Sequence, residues 1–91
     1  MLKISIITVC YNSSKTILDT INSVNNQSYK NIEHVFIDGL SSDNTLELIK
    51  LNSKKKKVII SEQDNGLYDA INKGVSIASG DVIGLLHSDD L

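Results

Sequence analysis

The apolar residues of this chain change their spacing again and again along its length, and no other feature narrows the available folds as much. Ile4, Ile6, Ile7 and Val9 make a short β-branched run, Ile17, Leu18, Ile21 and Val24 then recur at helical spacing, and Ile32, Val35, Phe36 and Ile37 form a second strand-like run. Ser41, Ser42 and Asp43 offer N-caps to a second helix carrying Leu46, Ile49 and Leu51, and Val58-Ile59-Ile60 reads as a third strand. Leu67, Ile71, Val75 and Ala78 mark the face of a third helix that should stop near Gly80 in a left-handed turn. Residues 81–86, with Val82, Ile83, Leu85 and Leu86, predict a buried fourth strand. Strands alternating with helices imply right-handed βαβ crossovers. The expected fold is an α/β class, open and mainly parallel sheet with helices on both faces, Rossmann-like in layout and truncated after the fourth strand.

Size limits this to one modest domain spanning residues 1–91. The chain has 41% apolar residues, and one of this length buries only about 60–65% of its unfolded surface. Its net charge is −2 and all its cations are lysines, so nothing suggests a nucleic-acid backbone as partner. One cysteine, Cys10, cannot form an intrachain disulfide and fits a reducing compartment. No apolar run approaches the roughly 20 residues of a membrane span, and no signal-peptide layout opens the chain. A soluble, cytoplasmic protein is expected.

In open α/β sheets, ligands bind beyond the carboxyl ends of the strands. Here those ends carry Tyr11 and Asn12 after the first strand, Asp38-Gly39 after the second, Asp64-Asn65-Gly66 after the third and Ser88-Asp89-Asp90 after the fourth. No glycine-rich phosphate loop follows the first strand, so neither a dinucleotide fingerprint nor a Walker motif is present. A diphosphate would then need another counter-charge. Asp89 and Asp90, emerging where an apolar strand ends, suit a hard cation, Mg²⁺ or Mn²⁺, bridging to such a group. Asp38 would remain to hydrogen-bond a base or ribose.

Five segments together carry a family resemblance: Ser5-Ile6-Ile7-Thr8 running into Tyr11-Asn12; Phe36-Ile37-Asp38-Gly39 with Ser41, Asp43 and Thr45; Asp64 to Ala70 with Asn72 and Gly74; Ala78 to Asp81; and Ser88-Asp89-Asp90. In this order and spacing they resemble the start of family 2 glycosyltransferases of the GT-A fold, with Asp64 to Gly74 most similar to bacterial members that build cell-surface polysaccharides such as colanic acid. The resemblance implies transfer of a sugar from a nucleotide-diphosphate donor, usually UDP-linked, to the hydroxyl of a saccharide or lipid-linked saccharide acceptor, with inversion. It implies that Thr8 and Tyr11 lie beside the base, that Asp38 bonds uracil or ribose, and that Asp64 to Gly66 close the other side. Asp89 and Asp90 correspond to the family's Asp-x-Asp motif, whose first position is Ser88 here; Asp90 is then the metal ligand and Asp89 a ribose or second metal contact. Members place the catalytic base well downstream of that motif, so the resemblance implies a base beyond Leu91 and no catalytic residue within the chain. The chain thus resembles a donor-binding part lacking the acceptor half, inactive by itself. Peripheral placement at the inner membrane would apply to a full-length protein, and surface exposed by truncation would favour self-association. The chain departs from the family at Ile71, where Arg is common, and at His87, where Asn is frequent.

Structural roles compete at several positions. Asp43 and Thr45 read as a helix cap and first turn, Gly66, Gly74 and Gly80 as conformationally permissive points, Cys10 as buried filler, His34 as a sheet-surface residue and Tyr68 as half-buried packing. Lys54 to Lys57 fit a solvated connector near a helix C-terminus. Two other functions are compatible with the pattern: an inert nucleotide-binding module, and a Mg²⁺-dependent phosphoacceptor domain modified at Asp38. The latter needs acidic residues after the first strand, where Cys10-Tyr11-Asn12 stands.

Overall fold

A computed structural model describes residues 2–87. The expected metal ligands Asp89 and Asp90, and Leu91, beyond which the catalytic base is expected, lie outside the described residues. Four strands, β1 (Ile4–Cys10), β2 (Ile32–Asp38), β3 (Lys56–Ser61) and β4 (Val82–Leu85), alternate with α1 (Ile17–Asn25), α2 (Thr45–Asn52) and α3 (Leu67–Ile77). All pairings are parallel and the spatial order is β3-β2-β1-β4. The chain therefore winds outward from β1 to β3 and then crosses back through α3 to the other side of β1. The winding reverses between β1 and β4, the position at which α/β sheets bind ligands. The open parallel sheet with helices on both faces is the expected one.

Period-two alternation on β1 and β2 divides the core. Cys10 and Phe36 meet Ile17, Ile21 and Ile49 under α1 and α2, whereas Ile7, Val35 and Ile37 meet Ala70 under α3. β2 is buried at all seven positions, as a central strand covered on both faces must be. Its polar residues are consequently internal. His34, expected at the sheet surface, is wholly buried beside Phe36 and bonded to Thr8, with Oγ1 and Nε2 2.7 Å apart.

Three other expectations are corrected. The third helix seats a different stripe: Ala70 and Gly74 are its buried residues, Ile71 is half-buried, and Leu67, Val75 and Tyr68 are largely exposed, while Ala78, just past the helix, packs on the core as expected. Small residues win because α3 lies so close to the sheet that a Cβ on Gly74 would stand 2.5 Å from Ile7 Cγ2. Gly80 is no left-handed stop, since α3 ends at Ile77; a Cβ there would lie 2.7 Å from the Ser5 backbone nitrogen and 2.9 Å from the Lys3 carbonyl oxygen. Close backbone approach, not torsion, requires glycine here. Finally, β4 is not buried. It pairs with β1 alone among the described residues, and Val82, Ile83 and Leu85 are 42–51% exposed.

Candidate functional site

A cavity of about 380 Å³ opens at the carboxyl edge, lined chiefly by Val9, Tyr11, Gly39, Asp64, Gly66 and Leu67. It thus gathers the ends of β1 and β2, the loop after β3 and the start of α3. Tyr11 is 62% exposed and also borders a second hollow over the start of α1, beside Asn12 and Asp43.

The loop after β2 is built on Asp38. Its carboxylate accepts the Ser41 N–H (2.9 Å), the Ser41 hydroxyl and the Ser61 hydroxyl (2.9 Å), and its side chain is fully buried. This turn holds Leu40 at φ 63°, a left-handed conformation costly for a branched side chain. Asn12, at φ 47°, locks the neighbouring loop: its side-chain oxygen accepts the Ser42 N–H at 2.8 Å, and its own N–H donates to Ser41 Oγ at 2.8 Å. Asp43 accepts both the N–H and hydroxyl of Thr45, at 3.0 and 2.5 Å, and these bonds hold its carboxyl below the usual range. Asp43 thus acts as a cap one residue before the N-cap position, Asn44.

The opposite wall is the loop after β3. Gly66 sits at φ 109°, open to glycine but strained for other residues, and its N–H donates to Asp64 Oδ1 at 3.2 Å. Lys73 fastens this loop to α3: its ammonium bonds the Gln63 carbonyl at 2.9 Å and pairs with Glu62 at 3.3 Å and Asp69 at 3.4 Å. Burial would lower the Lys73 pKa, but the two carboxylates hold it above the ordinary value. Asp69 in turn accepts the Asn65 N–H at 2.9 Å; that bond and Lys73 keep its pKa low.

The structure brings together Tyr11, Asp64 and Gly66. It turns Thr8 away: alternation puts this residue on the α1/α2 face, fully buried against His34, and gives the cavity to Val9 instead. Asp38 lies behind the wall as the bonded centre of its turn. That burial also removes the exposed carboxylate a phosphoacceptor would need. The alternation that favours Val9 was present in the sequence, as was Gly39; what could not be read was the approach of Asp64 to Gly39. A Cβ on Gly39 would lie 3.1 Å from Asp64 Oδ2 and 3.5 Å from Tyr11 Cδ1. Gly39→Ala should therefore displace the Asp64 carboxylate, changing stability by less than about 1 kcal/mol because the clash is with a movable side-chain end. Melting curves compared with ligand titration would separate the two effects, and an unchanged affinity would show that Asp64 does not depend on this space.

Past β4 the chain runs toward the same edge. The Leu86 N–H donates to the Ile7 carbonyl at 2.9 Å and Thr20 Oγ1 to the His87 carbonyl at 3.5 Å. Among the described residues no cluster of three metal-ligating side chains occurs. Asp89 and Asp90 follow in the sequence, with the oxygen donors a hard cation favours.

Residues 5–91 match the family described as Glycosyl transferase family 2. An uncharacterized glycosyltransferase of Mycobacterium tuberculosis is 39% identical over 88 residues, covering 96% of this chain and 34% of that protein. Poly-beta-1,6-N-acetyl-D-glucosamine synthase of Staphylococcus aureus is 37% identical over 90 residues, covering 97% of this chain and 22% of the synthase. The chain thus spans about a third or less of these relatives. Among solved structures, S. aureus TarS 1-349 in complex with UDP-GlcNAc superposes with a TM-score of 0.88 at 28% identity, over 97% of this chain and 27% of that one. The mannosyltransferase PcManGT of Pyrobaculum calidifontis, in complex with GDP-Man and Mn²⁺, gives 0.89 at 21% identity, over 99% and 28%, a likeness of fold. With the reversal of winding, the carboxyl-edge cavity and the family match in agreement, the chain belongs to glycosyl transferase family 2 and has the GT-A fold.

Proposed function

We propose that residues 1–91 form the donor-binding part of an inverting glycosyltransferase that uses a UDP-sugar in building a cell-surface polysaccharide of the colanic-acid type. The observation that carries this reading is the cavity at the carboxyl edge, where an exposed aromatic ring, Tyr11, faces a loop held by Asp64 and Gly66. An aromatic face and a few fixed polar groups are what a nucleoside needs. The relatives named above give the chemistry its class: one makes poly-beta-1,6-N-acetyl-D-glucosamine and one was solved with UDP-GlcNAc.

In this reading Tyr11, Asp64 and Gly66 contact the nucleoside, while Asp38 and Thr8 support the site from inside the sheet. Asp90, with Asp89, would hold Mn²⁺ or Mg²⁺, which when bound would stabilise the departing diphosphate. The acceptor hydroxyl oxygen attacks the anomeric carbon opposite the diphosphate, the carbon–oxygen bond to phosphate breaks with its electron pair leaving on the diphosphate, and the hydroxyl proton passes to a base. We assign that base, and the saccharide-binding groups, to sequence beyond Leu91. Asp38, Glu62, Asp64 and Asp69 already hold intramolecular donors or pair with Lys73. The single buried cysteine, Cys10, fits a cytoplasmic setting for this chemistry.

Calorimetric titration of UDP with and without Mn²⁺ tests the proposal. Wild-type binding should require the metal, and Asp90→Ala should weaken it by about tenfold or more. A folded chain that binds UDP equally well without metal, or with Asp90 removed, would refute the assignment.

A further inference from the structure

We propose that the lysine-rich corner at the amino ends of β2 and β3, opposite the cavity, docks on an anionic phospholipid bilayer. Lys30 precedes β2, Lys50 lies in the last turn of α2, Lys54 and Lys55 form the connection, and Lys56 and Lys57 open β3. No carboxylate occurs between Glu47 and Glu62 in the sequence. Among the described residues none of the six lysines forms an ion pair; the ion-paired lysines are Lys3 and Lys73. The carboxylates at this end of the sheet, Glu33 and Asp81, are engaged elsewhere: Glu33 with Ser5, Ser79 and Lys3, and Asp81 with the Lys3 N–H.

Compensation of the α1 and α2 dipoles explains only part of this charge. Lys55 Nζ donates to the Gln27 carbonyl and Lys57 Nζ to the Ser53 carbonyl, both at 3.1 Å, at the ends of those helices. Lys50, in the last turn of α2, also faces that dipole, but Lys30, Lys54 and Lys56 are exposed beyond that need. The corner is also fixed in shape, because Asn25 Nδ2 donates to the Asn52 carbonyl at 2.8 Å and Asn25 Oδ1 accepts the Lys54 N–H at 2.9 Å. Leu51, which follows Lys50 at the end of α2 and precedes the lysine run, is 81% exposed. Lysines flanking an exposed aliphatic residue in the sequence match an interface of anionic headgroups over acyl chains. A nucleic-acid surface would favour arginine, of which the chain has none. Docking through this corner leaves the cavity, at the other end of the strands, open to solvent.

The test uses the whole 91-residue chain and does not depend on the proposed donor. Partition is measured onto neutral phosphatidylcholine vesicles and onto vesicles containing roughly a third phosphatidylserine, at low salt and at about 0.5 M salt. Anionic vesicles should bind the chain at low salt and release it at high salt. Each exposed lysine changed to glutamine should lower partition about fivefold, and the triple variant Lys50→Gln/Lys54→Gln/Lys56→Gln by about a hundredfold. The single variants keep the test decisive if the triple one melts early. Equal binding to neutral vesicles, single variants that partition like wild type, or tighter binding to a uridine-rich RNA oligomer at the same salt would overturn the proposal. Loss of UDP binding in wild type would sink the donor assignment without touching this one.

Discussion

Glu33→Ala should cost about 2–4 kcal/mol of folding stability, because it strips the partner from the buried Ser5 hydroxyl and breaks the half-buried bonds from Ser79 at once. A domain of this size has roughly 5–14 kcal/mol in total, so the variant should lose a substantial share of it. Glu33 is only 4% exposed on β2. Its carboxylate accepts the Ser5 hydroxyl at 2.8 Å, the Ser79 N–H at 3.1 Å and the Ser79 hydroxyl at 3.1 Å, and pairs with Lys3 at 3.6 Å. Those bonds tie β1, β2 and the turn before β4 together where Gly80 presses on the Ser5 backbone. Burial would raise the Glu33 pKa, but the Ser79 and Ser5 bonds and Lys3 hold it below the ordinary value. Its contribution is therefore complete above the unfolded carboxylate range and is lost as pH falls through the folded value. Urea unfolding of Glu33→Ala and Glu33→Gln at neutral pH checks this, with the glutamine variant retaining about half the stability difference. A wild-type midpoint for the alanine variant would mean that the network holds nothing together.

Such a network shows where sequence reasoning stops. The order of elements was legible because each strand and helix has its own hydrophobic period, and β-branched runs set between capping and glycine residues fix where they alternate. Which face of α3 is buried was not legible. The chain offers two helical stripes, and the more hydrophobic one, Leu67, Ile71 and Val75, lost to Ala70 and Gly74 because the distance from helix to sheet selects for small side chains. The burial of His34 and Glu33 was hidden for a related reason: a strand covered on both faces has no polar side, so alternation along β2 carries no signal of exposure.

Site residues divided along the same line. Tyr11, Asp64 and Gly66 fell in loops after strands, where topology alone predicts a ligand crevice, and the structure gathers them around one cavity. Thr8 stands inside β1, where a single step of alternation decides between cavity and core, and motif position carries no information about that step. Asp38 is last in β2 on the Cys10 face, its side chain drawn inward by Ser41 and Ser61. A carboxylate after a strand can serve a ligand or its own loop, and only the positions of competing donors distinguish the two.

His34 should make this fold sensitive to mild acid. Burial pushes the imidazole from its ordinary value down to about 4, and its Nδ1 has no hydrogen-bond partner among the described residues. The ring lies against Phe36, with centroids 3.8 Å apart and planes at 31°, and is wholly buried, so a charge there would be cut off from water. Between pH 6.5 and about 4 the unfolded chain takes up a proton at His34 that the folded chain refuses, and stability falls with pH by up to about 3 kcal/mol across that window. This loss begins well above the pH at which Glu33 loses its charge, so the two groups separate in a pH series of urea midpoints. His34→Leu should flatten the slope between about pH 6.5 and 4 while leaving the steeper fall below it. A wild-type chain with constant stability from about pH 7 to about 4.5 would show that water or relaxation lets the folded state protonate His34 freely. The consequence reaches the site, because His34 bonds Thr8 across β1 and β2, the strands whose ends carry Tyr11 and Asp38. Apparent ligand binding should therefore weaken only where acid has populated the unfolded chain, and at a lower pH in His34→Leu than in wild type.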